Sequence, residues 1–295
     1  MGGISIAPNA DGGAQEPMAL HHHFMEGLYF PVKAVKAITS PLGLASGNSL
    51  RVLTCHDISL KEQPQFLSQL LWLKQSWRFV SPQQFAAMIS GAEPVVGRNL
   101  LLTFDDGTAS QRRIADEVLK PLGIRAVFFV APDWVSDAAL AFGASSMAWS
   151  DLEALLEQGH LVGSHTATHA RLSEIQAEAD LEREIAASAT TLARRLGVAI
   201  EHFAYPFGNV ASFSTSALAV AQRSFRFIYS GLRGDNSRDA SPSRIWRDAV
   251  TPNDSRALLG AYLEGASDFY YARSRAELAR WVLRDWGEPC QRIPL

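Results

Sequence analysis

Six short apolar runs alternate with helical patterns through the middle of this chain, and no other feature limits its fold as strongly. The runs lie at 50–56, 99–104, 126–130, 161–164, 201–204 and 225–229. The 126–130 run, Ala-Val-Phe-Phe-Val, is apolar throughout, as expected of a strand covered on both faces. Between the runs, 65–75 places Phe66, Leu67, Leu70, Leu71 and Leu73 on a helical face. Ser81 and Pro82 form the cap and first position of a second helix. Further helices are expected at 112–119, at 150–157 with Ser150 as cap and Glu153 completing the box, at 173–196 and at 214–222. A strand at 244–250 and a helix at 275–285 complete the pattern. The βαβα order predicts an α/β fold with a parallel sheet of about seven strands, closed as a distorted (β/α) barrel. Such a sheet presents its functional residues at the C-terminal ends of its strands.

A single domain accommodates most of the 295 residues, 47 % of them apolar and 19 % charged. Residues 1–48 show no persistent period and read as an irregular N-terminal arm before a catalytic domain at 49–295. The arm contains His21-His22-His23, to which no catalytic role is assigned. A net charge of -3, from 27 basic and 30 acidic residues, argues against a nucleic-acid partner. The two cysteines, Cys55 and Cys290, are too few for a disulfide framework. No window approaches the ~18 apolar residues of a membrane span. Without a secretory pattern near the N-terminus, a cytoplasmic location is expected.

Three polar clusters close predicted strands. Asp105 and Asp106, in Thr-Phe-Asp-Asp-Gly, set two carboxylates together, which is costly unless a cation or hydrogen bonds compensate. An ordinary Asp-Asp-Gly turn is the alternative. His165 and His169 stand at i and i+4; on one side of a helical turn, both imidazoles reach one ion. Two hydrogen-bonded loop histidines are the alternative. Tyr205-Pro206-Phe207-Gly208 makes a tight turn that can aim a backbone N–H at an oxyanion, or is an ordinary aromatic turn.

In this order the clusters resemble the motifs of the polysaccharide deacetylase family, the NodB-homology or carbohydrate esterase family 4 enzymes. The resemblance spans roughly 50–250 and implies a distorted barrel and de-N-acetylation of an N-acetylhexosamine in a glycan or glycan precursor. It implies Asp106, His165 and His169 as metal ligands, Asp105 as the base that takes a proton from water, and the Phe207 N–H as oxyanion donor. Zinc suits this donor set, with cobalt, nickel, manganese and iron as alternatives. The substrate-side residues are expected to be Tyr205, Pro206, Arg244 and Trp246. Trp134, Trp149 and Phe207 are further candidates for sugar-stacking walls.

Two departures separate the chain from the family pattern. Where many members carry an arginine that steadies the base, this chain has Ala204, and Arg244 or Arg247 is the expected replacement. The family's C-terminal Leu-x-His is absent, since no histidine follows His202. His56, closing the first strand, is expected to act as general acid, as in a circularly permuted branch resembling poly-N-acetylglucosamine deacetylases. Two other functions fit the same residues: hydrolysis of a cyclic ureide, or carbohydrate binding without catalysis.

Overall fold

In the computed structural model the described residues are Gly27, 47–136, 146–238 and 241–282. The fold is built outward from β1 (Ser49–Cys55), every residue of which is buried. β1 pairs in parallel with β3 (Arg98–Phe104) from Ser49↔Arg98 to Cys55↔Phe104. β2 (Arg78–Phe79) flanks the first half of β3, and β4 (Ala126–Val130) flanks its second half. Beyond β4 come β5 (Leu161–Ser164), β6 (His202–Ala204) and β7 (Phe227–Tyr229), all parallel. On the other side of β1 lies β8 (Asp248–Ala249), giving the order β7-β6-β5-β4-β3-β1-β8. An isolated parallel bridge, Tyr229↔Ile245, joins β7 to the segment entering β8 and curls the sheet back on itself. The expected barrel of about seven strands is therefore present, with two-residue β2 as an addition too short to show a period in sequence.

Strand alternation sorts the apolar residues into two clusters. Leu50, Val52, Leu101, Val127, Phe129, Tyr229 and Ile245 fill the inner face. Leu53, Leu102, Phe104 and Phe128 face outward against the helices. These helices are α1 (Gln63–Leu73), α2 (Pro82–Ile89), α3 (Ala109–Ile114), α4 (Trp149–Glu157), α5 (Glu178–Leu196) and α6 (Thr215–Ser224). α7 (Arg256–Leu263) and α8 (Asp268–Val282) end the described chain. Arg51 is 1 % exposed and ties β1 to β8 and α8 through Asp248 at 3.3 Å and Asp268 at 2.7 Å. No helix among the described residues is long and apolar enough to cross a membrane.

Several element boundaries differ from expectation for local reasons. Ser81 caps α2 in a reciprocal box with Gln84, as expected. α4 instead starts at Trp149, because the Asp151 carboxylate accepts the Ala148 N–H at 2.9 Å and displaces Ser150 from the cap. The helix expected at 112–119 begins at Ala109 and opens into a π turn at Ala115–Leu119. That turn precedes Pro121, which has no N–H to donate four residues back. The helix expected from 173 begins at Glu178, after a 3₁₀ turn at Leu172–Glu174. The strand expected at 244–250 is paired as β8 only at Asp248–Ala249. Apart from Gly27 and 47–48, the arm, including His21-His22-His23, lies outside the described residues, as does the end of the last expected helix.

His202 is buried in β6 and shares a 2.9 Å hydrogen bond between Nδ1 and the Tyr229 hydroxyl. Burial, with nearby Arg226, pushes its pKa down to about 3. An unfolded histidine binds its proton near pH 6.5, so acidification below that value favours the unfolded chain until the folded pKa is passed. The urea midpoint of the wild type is expected to fall between pH 7 and pH 5 by more than that of His202→Gln. The difference is set by about 1.4 kcal/mol per pH unit below the unfolded pKa. Parallel midpoint curves for the two proteins would refute a neutral buried His202.

Candidate metal centre

Parallel strands deliver their C-terminal ends to one rim, and the polar clusters meet there. β1 and β3 end in register at Cys55↔Phe104, and the Asp105 N–H donates to the Cys55 carbonyl at 3.0 Å. This places His56, the next residue of one strand, beside Asp105 and Asp106, the next residues of the other. His56 is exposed, and its charge acts on both carboxylates.

Asp106, His165 and His169 each offer one ligand atom, and these atoms lie within 4.8 Å of one another. Asp106 Oδ1 is 3.6 Å from His165 Nε2 and 3.4 Å from His169 Nε2. His165 Nδ1–H donates to the Ala204 carbonyl at 2.7 Å, a partner that can only accept, so the Nε2 lone pair points toward the cluster. Burial drives the His165 pKa down to about 4, against the pull of Asp105, leaving the ring neutral near pH 7. Asp106 Oδ1 is itself buried without a hydrogen-bond partner. An orphaned carboxylate oxygen beside two imidazoles is the environment a divalent cation satisfies, and the donor set fits one.

The histidine pair is not on a helical turn. Thr166 has φ 63° and His169 φ 62°, and α5 begins only at Glu178. The loop's N–H groups are taken by α5 instead of by the loop's own carbonyls. The Ala167 N–H donates to the Glu184 carbonyl at 2.9 Å. The Glu184 carboxylate accepts the Thr168 N–H and hydroxyl, each at 3.0 Å. Among the described residues, the non-glycine residues with positive φ are Asp106, Thr166, His169 and Phe207, all in these loops. Such conformations cost on the order of 1–3 kcal/mol each and gather at functional sites.

Asp105 is 4 % exposed, yet its pKa is held low, about 2. Burial alone would raise it; the Arg247 guanidinium outweighs burial. Arg247 binds it through both nitrogens, Nη1 to Oδ1 at 2.6 Å and Nη2 to Oδ2 at 2.8 Å. Arg247 is fixed in turn by Thr54 Oγ1 at 3.1 Å and the Ser230 carbonyl at 2.8 Å. Arg247, not Arg244, thus supplies the cation absent at Ala204.

Phe207 centres a classic γ-turn, with φ 64° and the Gly208 N–H donating to the Pro206 carbonyl at 2.7 Å. Gly208 packs against Gly231 so closely that a Cβ would lie 2.4 Å from the Gly231 nitrogen. Of the other expected substrate-side residues, Tyr205, Pro206 and Trp246 are buried. Tyr205 is 1 % exposed and stacks on Phe213 at 3.9 Å, and Pro206 is buried. Trp246 belongs to the core, and the Arg244 guanidinium lies 5.8 Å from its ring. Trp134 and Phe207 are the exposed aromatics here, each with its ring centre 5.1 Å from that of His169. Sequence reasoning missed Glu184 and Thr54. The signal for Glu184 is an acidic residue on the buried face of α5, with Leu181, Ile185, Ser188 and Leu192.

Glu184→Ala is expected to weaken divalent-metal affinity about 10–100-fold by freeing the loop, the usual effect of losing a group that orients ligands. Glu184→Gln keeps an acceptor for the Thr168 N–H and is expected to recover most of that affinity. Competition titration with a chromophoric chelator reads both; equal affinities in all three proteins would contradict the anchoring role.

The polysaccharide deacetylase family profile matches residues 92–224. YxkH of Bacillus subtilis (strain 168) is 23 % identical over 223 residues, covering 75 % of this chain and 73 % of that protein. IcaB from Ammonifex degensii is similar at 27 % identity and TM-score 0.59, over 74 % of this chain and 98 % of its own. The Streptococcus pyogenes deacetylase PplD, solved with acetate, shares the fold at TM-score 0.62 and 20 % identity, over 72 % of this chain and 97 % of its own. On the matched segment and the shared fold, this chain is similar to the polysaccharide deacetylase family.

Proposed function

We propose that this chain hydrolyses the N-acetyl groups of N-acetylhexosamine units in a glycan or glycan precursor, with a divalent metal held by Asp106, His165 and His169. The observation that carries this reading is the bidentate Arg247–Asp105 pair beside the three-ligand cluster. A protein that only bound sugar would have no use for a second carboxylate, buried and oriented, next to a metal site.

A cation in that cluster would supply Lewis acidity, polarising the acetyl carbonyl and lowering the pKa of water. The chain supplies the rest. Arg247 keeps Asp105 ionised and fixes its orientation, and Asp105 takes the proton of the attacking water. The Phe207 N–H, which makes no hydrogen bond within the γ-turn, stabilises the oxyanion of the tetrahedral intermediate. His56 protonates the sugar nitrogen as the C–N bond breaks, releasing acetate and the free amine. Trp134 and Phe207 are the exposed aromatic side chains that a sugar can reach at this rim. Zinc leads among the metals because two imidazoles and a carboxylate with open positions suit it.

The test is acetate release from short N-acetylglucosamine oligomers. Metal-loaded wild type is expected to release acetate, and Asp105→Asn to lose about 10²–10⁴-fold in turnover. No release by the wild type would overturn the deacetylase reading, and undiminished release by the variant would remove Asp105 as base. His56→Ala is expected to lower turnover by a similar ~10²–10⁴-fold with metal affinity unchanged. Turnover equal to wild type would leave the leaving amine to another proton donor.

A further inference from the structure

Phe207 combines a strained backbone with a ring that the core does not hold. Its φ is 64°, its ring is 53 % exposed, and its neighbour Gly208 is pinned against Gly231. The ring makes two aromatic or cationic contacts among the described residues. On one side is His169, with ring centres 5.1 Å apart. On the other is Arg171, whose guanidinium carbon lies 4.0 Å from the ring centroid. Trp134 stacks on His169 in turn, so the rim carries a continuous series from Trp134 through His169 and Phe207 to Arg171.

Arg171 follows the second metal histidine by two residues, and Phe207 comes from another loop. Their contact therefore joins the two loops. The Arg171 side chain is 30 % exposed and makes one ion pair, Nε to Glu174 Oε1 at 3.4 Å, with a glutamate 75 % exposed. That pair restrains the guanidinium from the solvent side while its face stays on the ring. A planar, delocalised cation stacks on an aromatic face in a way an ammonium matches only in part.

We propose that Arg171 is a positioning residue. It clamps the Phe207 ring against His169, holds the strained γ-turn in place, and so fixes the direction of the Phe207 N–H relative to the metal ligands. It touches neither substrate nor metal, and it acts only through Phe207. This inference rests on the deacetylase reading for its effect on rate, but the clamp itself does not.

A double-mutant cycle tests it, with steady-state acetate release measured for wild type, Arg171→Ala, Phe207→Ala and the double variant. Because stacking at an exposed site is weak, Arg171→Ala is expected to lower kcat about 2–5-fold with KM little changed. Arg171→Lys is expected to recover part of the loss. In the Phe207→Ala background, Arg171→Ala is expected to do nothing further. An undiminished kcat in Arg171→Ala, or the same loss in both backgrounds, overturns the proposal. A second readout needs no catalysis: fluorine NMR of protein labelled with 4-fluorophenylalanine, the Phe207 signal assigned by its loss in Phe207→Leu. The signal is expected to shift and broaden in Arg171→Ala and to return toward its wild-type position in Arg171→Lys. An unmoved signal overturns the clamp even if no acetate is released. A moved signal with no acetate from any protein leaves the clamp standing and counts against the deacetylase reading alone.

Discussion

Everything at the rim depends on the parallel ladder between β1 and β3. These strands pair over seven residues each, are buried almost throughout, and end level with one another. A slip of one residue would turn every side chain to the opposite face. Leu50, Val52 and Leu101 would leave the inner cluster, and Thr54 and Asp105 would lose their common side. The apolar alternation that fills the barrel thus also aligns His56 with the Asp pair. Stability and site geometry come from the same register.

The rim is strained where the ladder is relaxed. Its four left-handed non-glycine residues lie in three loops, and each loop is held from outside itself. The Asp106 loop leaves the strand through Gly107, where a Cβ would come within 2.9 Å of Val130. Glu184 of α5 holds the histidine loop through Thr168. The third loop is fixed by Gly231, whose N–H donates to the Gly208 carbonyl at 2.8 Å. Strain persists only where the surroundings over-determine the backbone. Here a long helix and neighbouring strand ends provide that support.

Buried charge follows the same logic. Arg247 and Asp105 are both nearly inaccessible, and replacing such a pair by apolar residues is often neutral for stability. The pair's value here lies in direction: a planar fork bonded at both nitrogens holds the carboxylate in one orientation. Arg51, also buried, performs a different task two residues before Leu53, securing β8 and α8 to β1. Securing β8 in turn sets the position of Arg247, which immediately precedes it.

The sequence by itself determined the alternation of strands and helices, the parallel sheet, and the three clusters, because these depend on local periodicity and on chemistry carried by adjacent residues. The Asp pair and the histidine pair were legible for that reason, whereas the choice of Asp106 as ligand and the need for a substitute arginine came only from the family resemblance. Which arginine it is depended on tertiary structure. Arg244 and Arg247 differ by three residues, and only the pairing of β8 with β1 brings Arg247 over Asp105. The left-handed histidine loop was also invisible, because i, i+4 spacing suggests a helix and the competing hydrogen bonds come from Glu184, 15 residues beyond His169. So was the sorting of the candidate aromatics, with Tyr205 and Trp246 buried while Trp134 and Phe207 remain exposed. Burial of a single aromatic is decided by what packs against it from distant parts of the chain, and local pattern carries no record of that.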